Sequence, residues 1–479
     1  MRISIEKFKT IILMLSALLF YYLGLDAVET SQGLASQNFI VLLSWVGIVF
    51  FTLCLINWKK ITGAWFSLYL IYFVFLCLFM FGQCFMWALG IHDDGEIGKM
   101  NLFRFGVPAT EKGILTAQLM SILGVVMFHG GVSLFYKNDH ARIKDNGIDL
   151  STDNSLFLVS CGACIVGTLA TFYSLARNIV VNRMYGYGAA LYNADVVSSQ
   201  NNIILLARML FFPALVGMLV GSHFKNNVRK IVYALFTLFT LVSLFAGDRG
   251  EWIFPLLILS WMHHNYVKKI DKRKIILFAF AGVLLVCVSV AVRNVRSDGV
   301  TLQAIIEDLA GEENPIVSAF FEFGRGMQHS AILMERGWNA YPYGNTYILA
   351  FLGMVTDAIP RMLIGDYQSL STWYSSKFLS ISYGAGFSII AEGLVNFGPY
   401  FFWVPLFFIG AILSRVSFNL NDELNGTQDL SIFMKISITY CAIQGIRNTT
   451  LASLKTFMFS TVVIYIATIL LNSIRGRKA

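Results

Sequence analysis

The residues with the greatest chemical reach lie between 293 and 398. Arg293, Arg296, Arg325, Arg336 and Arg361 supply fixed positive charge, His329 supplies a titratable ring, and Glu322, Asp357 and Glu392 supply carboxylates. A guanidinium is a rigid fork of donors that meets phosphate or carboxylate oxygens in pairs. A histidine or carboxylate beside such an anion can take a proton from a hydroxyl. From Pro315 to Trp338 the apolar residues recur with helical period, and Glu322, Arg325 and His329 follow one another at helical spacing. That spacing puts the three on one face. The expectation is a helix on a membrane surface, its polar face toward a cavity. Val300 to Gly311 carries the same kind of pattern. Gly324 and Gly326 flank Arg325, where a missing Cβ would let a substrate reach the backbone. The plainer alternative for His329 is an interfacial ring satisfied by Glu322 or Glu335.

Other candidates lie outside this stretch. Ala246-Gly-Asp-Arg-Gly-Glu251 is a short link that holds Arg249 with little freedom, suited to a preorganised anion contact or to a pair with Asp248 or Glu251. Arg447 sits in a short turn, and Arg177 and Arg183 precede a Tyr185-Gly-Tyr-Gly run. That run suits an interfacial aromatic belt or a sugar-stacking surface. Arg208, a few residues into an apolar run, must face protein, water or headgroups. His92, Asp93, Asp94 and Glu96 could be taken for metal ligands, but a glycine-bounded run of this kind is better explained as solvated surface.

Charged residues make up 13% of the chain and hydrophobic ones 56%. A soluble domain carries about 25% charged residues, so these candidates are held by a membrane protein. The seven cysteines fall inside apolar runs, Cys161 and Cys164 among them, and are expected to be packing residues. A bilayer core needs roughly 20 apolar residues per helix. On that measure the expected fold is all-α with about 12 transmembrane helices, near 10–27, 38–57, 61–88, 113–136, 154–176, 203–222, 231–247, 251–267, 275–292, 399–417, 430–446 and 455–473. Residues 1–292 would hold nine of them, 293–398 a large extracytoplasmic loop, and 399–479 the last three. The segment 345–360 is apolar but interrupted by Asp357 and ended by Pro360. It is expected to be re-entrant or interfacial.

Basic residues set the orientation. With a cytosolic N-terminus, more than half of the 36 lysines and arginines fall on the inner side, including Lys59, Lys60 and the run from Lys268 to Lys274. Both termini are then cytosolic and 293–398 faces outward. The outer side is rich in arginine and the inner side in lysine. Topogenesis accepts either residue, so the preference points to recognition of an anion by planar forks.

No P-loop, GxSxG or HExxH is present. An outer face offers no nucleotide sugar. A transferase there must use a substrate already activated on a membrane carrier, such as a polyprenyl pyrophosphate. Arginines would neutralise the leaving pyrophosphate, and His329 or Glu392 would deprotonate an acceptor hydroxyl.

The layout of spans, the Gly247-Asp-Arg-Gly250 turn and Phe387-Ser-Ile-Ile-Ala-Glu-Gly-Leu-Val-Asn-Phe-Gly398 resemble the Wzy-type polymerases of O-antigen and capsule repeat units. The resemblance implies a metal-independent glycosyltransferase, GT-C-like, that needs no cofactor. Its donor and acceptor would be undecaprenyl-pyrophosphate-linked oligosaccharides, at the outer face of a bacterial inner membrane. It also implies membrane lipid, a chain-length regulator (polysaccharide co-polymerase) and a flippase as partners, and no nucleic acid. Arg249 and Glu392 are the positions carried over as catalytic. Arg325 and His329 join them on the helical-face argument, with Arg293, Arg296, Arg361, Arg447, Arg177 and Glu322 as substrate-binding candidates.

Three other readings compete. An O-antigen ligase would use the same donor and differ in acceptor. A flippase or transporter would place charges within the spans, where few ionisable residues lie. An acyltransferase would use a histidine in a span, and His129 shows no evident partner in the sequence.

Overall fold

The computed structural model describes residues 4–30, 37–99, 109–137, 153–185, 202–246, 251–271, 314–381, 384–419 and 428–476, with the isolated residues 287–288, 291, 303 and 306–307. Among the described residues every regular element is a helix. Eight helices among the described residues are long and apolar enough to cross a membrane, and Trp403–Val416 is a shorter apolar one. The chain is therefore an all-α polytopic membrane protein. The expected span 61–88 starts later, because the chain turns through residues 63–67 and Ser67 caps a helix that begins at Leu68. The expected span 251–267 is a 14-residue helix, Ile253–Tyr266, and most of the expected span 275–292 lies outside the described residues.

The chain divides into two compact units. The first comprises residues 1–138, 317–419 and 442–454. Its helices, in chain order, are α1 (Ile5–Thr30), α2 (Gln37–Thr62), α3 (Leu68–Ala88), α4 (Glu111–Phe135), α5 (Pro315–Phe323), α6 (Gly326–Arg336), α7 (Thr346–Gly353), α8 (Ala358–Ile364), α9 (Ile389–Phe401), α10 (Trp403–Val416) and α11 (Thr450–Thr456). The second unit contains helices Asp153–Tyr185, Asn202–Met209, Phe211–Gly221, Asn226–Phe245, Ile253–Tyr266 and Val463–Gly476.

The axis of the first unit is α4, buried at every residue from Gly113 to Ser133. Its closest companion is α10. A Cβ on Gly131 would collide with the Phe407 carbonyl, and one on Gly410 with the Phe128 carbonyl. The two backbones therefore touch at small residues, as membrane helices do when dispersion drives their packing. At the same end of α4, His129 is fully engaged. Its Nδ1 lies 2.6 Å from the Tyr69 hydroxyl and its Nε2 lies 3.0 Å from Asn57 Oδ1. Thr10 donates to the same Asn57 oxygen at 2.9 Å. The ring that looked isolated in the sequence ties α1, α2, α3 and α4 together.

The stretch Pro315 to Trp338 is not the single surface helix its periodicity predicts. It breaks at Gly324 and Arg325 into α5 and α6. The Arg325 amide bonds back to the Glu322 carbonyl, three residues away. Gly326 through Leu333 are all buried. The cause is α3. A Cβ on Gly82 would lie 2.8 Å from the Gly324 nitrogen, and one on Gly326 would strike the Phe79 carbonyl. Gly324 and Gly326 thus admit a neighbouring helix, not a substrate. Gln83 fixes the crossing by donating to the Phe321 carbonyl at 2.7 Å and accepting from the Ile97 amide at 3.0 Å.

Candidate functional site

His329, on α6, is buried with 6% of its surface exposed. The carboxylates of the interfacial alternative are elsewhere. Glu335 accepts from the amide and hydroxyl of Thr110, each at 2.7 Å, at the N-terminus of α4. Glu322 is half-buried on α5. The ring instead meets Tyr374, whose hydroxyl lies 3.3 Å from Nδ1. Phe387 stacks on the ring at 5.6 Å between centroids, and Tyr374 meets it edge-on at 5.4 Å. Tyr374 opens a π-helical turn, Tyr374–Phe378, closed by the Leu379 amide on the Tyr374 carbonyl. Turns of this kind occur often at functional sites.

Two arginines bear on this pair. Burial lowers the pKa of His329 to about 3, with the charge of Arg447 as the second cause. The ring is therefore neutral at physiological pH. Burial raises the Tyr374 phenol, and the Arg336 charge offsets part of that rise. Arg447 is exposed, with its guanidinium 5.6 Å from the Phe79 ring centroid. The structure thus packs His329 against Tyr374 and Phe387, with the charge of Arg447 acting on the ring and that of Arg336 on the phenol.

Glu392 stands near the start of α9, 1% exposed. Its Oε1 accepts from the Thr346 hydroxyl at 2.9 Å, and its Oε2 accepts from the Thr450 amide at 2.7 Å and hydroxyl at 2.9 Å. Thr346 and Thr450 are the first residues of α7 and α11. Amides at a helix start favour an anion, while burial raises the carboxyl pKa. Asn396, one turn on, accepts from the Thr346 amide and donates to its hydroxyl, each at 2.7 Å. Glu392 is thus a knot joining three helix starts, and it anchors Thr450 three residues after Arg447.

Arg325, half-buried, reaches another region. Its Nη2 lies 3.5 Å from where a Cβ on Gly95 would stand, beside Asp93. The His92–Glu96 segment folds on itself: Glu96 Oε1 accepts from the Asp93 amide at 2.8 Å and Lys99 at 3.3 Å, and lies 3.0 Å from His92 Nδ1. Arg361 is exposed on α8 and lines a cleft of about 600 Å³ with Thr356, Asp357, Ala358 and Met362. The charges of Asp357 and Arg361 act on Tyr367, one of a group of rings with Tyr341, Tyr343 and Trp373 in contact at 5.2 to 5.9 Å.

Of the remaining candidates, Arg177 is half-buried on helix Asp153–Tyr185 in the second unit. Arg249, Arg293 and Arg296 lie outside the described residues. Glu251, offered above as a mate for Arg249, pairs with Arg208.

Tyr374 and Phe387 carry no charge or spacing signal, so sequence reasoning passed over them. The Phe387-Ser-Ile-Ile run was noticed for its resemblance, not for the ring at its head.

The family model described as O-antigen polysaccharide polymerase Wzy matches residues 5–478. No curated protein matches the chain, and no solved structure does.

Proposed function

The chain belongs to the O-antigen polysaccharide polymerase Wzy family, and from that premise we propose how its geometry joins repeat units. The polymerase is a glycosyltransferase-type membrane protein that acts on lipid-linked oligosaccharide repeat units. Donor and acceptor in this reading are both undecaprenyl-pyrophosphate-linked, the site faces the outside of a bacterial inner membrane, and no metal takes part. The reading uses the twelve-span topology with cytosolic termini. A flippase would supply the units and a chain-length regulator would act on the product.

The observation that carries this reading is that the Arg447 carbonyl lies 3.8 Å from where a Cβ on Gly386 would stand, next to the Phe387 ring that stacks on His329, so that the arginine's charge acts on that ring. Arg447 receives the pyrophosphate of the donor. The acceptor hydroxyl oxygen attacks the anomeric carbon, the carbon–oxygen bond to pyrophosphate breaks, and its electron pair leaves with the carrier. The hydroxyl proton passes to His329 Nε2. For that nitrogen to accept, Nδ1 carries the ring hydrogen and donates it to the Tyr374 oxygen. Attack opposite the leaving group inverts the anomeric carbon.

A neutral ring of such low pKa is a weak base on its own. Bound pyrophosphate changes this. It compensates Arg447, the second cause of the lowering, and adds negative charge near the ring, which favours the protonated form. The base gains strength only with donor in place. Glu392 acts by fixing α7 and α11, and Arg325 by fixing the loop after α3. Arg249 remains a proposed catalytic residue, and Arg293, Arg296, Arg177 and Glu322 remain proposed contacts to the headgroup or glycan.

The test is the surface glycan of a deletion strain complemented with wild type, His329→Ala or Arg447→Ala. A ladder reduced to one repeat unit on the lipid core supports the polymerase reading. Long polymer retained on the carrier, with none transferred, would identify a ligase instead.

A further inference from the structure

The short helices α7 and α8 form a hairpin whose two sides differ. Leu349, Ala350, Gly353 and Pro360 are buried. The opposite side exposes Ile348, Phe351, Val355, Ile359, Met362 and Leu363, with Met362 at 85%. Six large apolar side chains within 16 residues are an uncommon thing to leave open on a segment outside the candidate spans. A cation interrupts them: Arg361 is exposed beside Met362 at the cleft. Asp357, half-buried, lines the same cleft and Asp366 just beyond α8 is exposed, so the guanidinium is the group there that can receive an anion. An apolar face edged by a guanidinium complements a ligand with an apolar chain on one end and phosphate on the other.

The hairpin is also tied to the polar site, because Glu392 accepts from Thr346, the first residue of α7, and from Thr450, the first residue of α11. Tyr367 is buried where the charges of Asp357, Arg361 and Glu392 all act on it. Glu392 in turn anchors the segment that carries Arg447. A headgroup seated at Arg361 therefore borders the region proposed for chemistry, which a bulk phospholipid has no reason to occupy.

We propose that the α7–α8 hairpin is the docking surface for the isoprenyl pyrophosphate end of the carrier, with Arg361 on phosphate and Phe351, Met362 and Leu363 along the isoprenyl chain. This rests on the carrier chemistry proposed above and adds the place where the carrier is held.

The experiment measures binding of undecaprenyl pyrophosphate, bearing no sugar, to the full-length protein in nanodiscs by native mass spectrometry. The proteins are wild type, Arg361→Ala, the double variant Met362→Gln/Leu363→Gln, and Arg447→Ala. The hairpin positions are exposed, so their substitution leaves folding intact. Arg361→Ala and the double variant are each expected to bind about tenfold more weakly, with a tenfold excess of phosphatidylglycerol failing to compete in wild type. Normal binding by both hairpin variants, with loss in Arg447→Ala, would overturn the hairpin and leave the proposed function standing. Displacement by phosphatidylglycerol would show a surface for bulk lipid and overturn it too. No binding by wild type would remove the carrier reading and the hairpin together.

Discussion

One oxygen of Glu392 accepts both the backbone amide and the hydroxyl of Thr450, at 2.7 and 2.9 Å. The carboxylate proposed as a catalytic acid or base thus accepts three hydrogen bonds, two of them at the start of α11. In the proposed reading it holds the turn carrying Arg447 in place. Glu392→Ala leaves three donors of Thr346 and Thr450 without an acceptor in a buried place. The expected cost is about 3 kcal/mol or more of stability, seen as a lower melting temperature in detergent. Polymerisation should fall through a raised KM for donor more than through kcat. A large kcat loss at unchanged stability would make Glu392 catalytic after all.

Much of this was legible in the chain. Low charge and repeated apolar runs specify a polytopic helical protein, and the pattern 345–360 anticipates something shorter than a span. The helical period over Pro315 to Trp338 is genuine, but periodicity cannot see a crossing. Gly82 and Gly324 lie far apart in sequence, and only their meeting explains why α5 and α6 are separate and why His329 is buried. Likewise, Tyr374 and Phe387 reach His329 through a π-helical turn that no local spacing encodes. Glu392 was found by its run of residues, while its partners Thr346 and Thr450 give no signal until α7 and α11 are placed.

That crossing gives a second prediction. A Cβ on Gly324 would strike the Gln83 amide nitrogen, a backbone atom that cannot rotate away. Gly324→Ala should sharply reduce the yield of folded protein in size-exclusion chromatography. Gly162→Ala, where a Cβ meets open space, should behave as wild type. Equal yields would mean that α3 and the α5–α6 junction are not in contact.

Tyr374 is a positioning residue, acting through His329. Tyr374→Phe keeps the ring packed on Phe387 and removes the hydrogen bond to Nδ1. Turnover is expected to fall about tenfold, or about 1.4 kcal/mol, with KM and melting temperature little changed. Equal changes in KM and melting temperature would reveal a purely structural role.

The buried histidine also sets a pH dependence. With a folded value of about 3 against about 6.5 in the unfolded chain, the unfolded state binds the extra proton between those limits. Stability then rises with pH in that window and falls as pH drops from about 6.5 toward 3. His329→Gln should flatten the dependence of melting temperature between pH 7 and pH 4.5. Identical slopes for the two proteins would show that the ring is not held neutral by folding.

The most direct measurement is single-turnover coupling with purified protein and a synthetic undecaprenyl-pyrophosphate repeat unit, following glycan length and free undecaprenyl pyrophosphate together. For wild type the account predicts one carrier released per bond formed, unchanged by EDTA, with Arg447→Ala and His329→Ala each slowed at least a hundredfold while remaining folded. Coupling at the wild-type rate in either variant would contradict it.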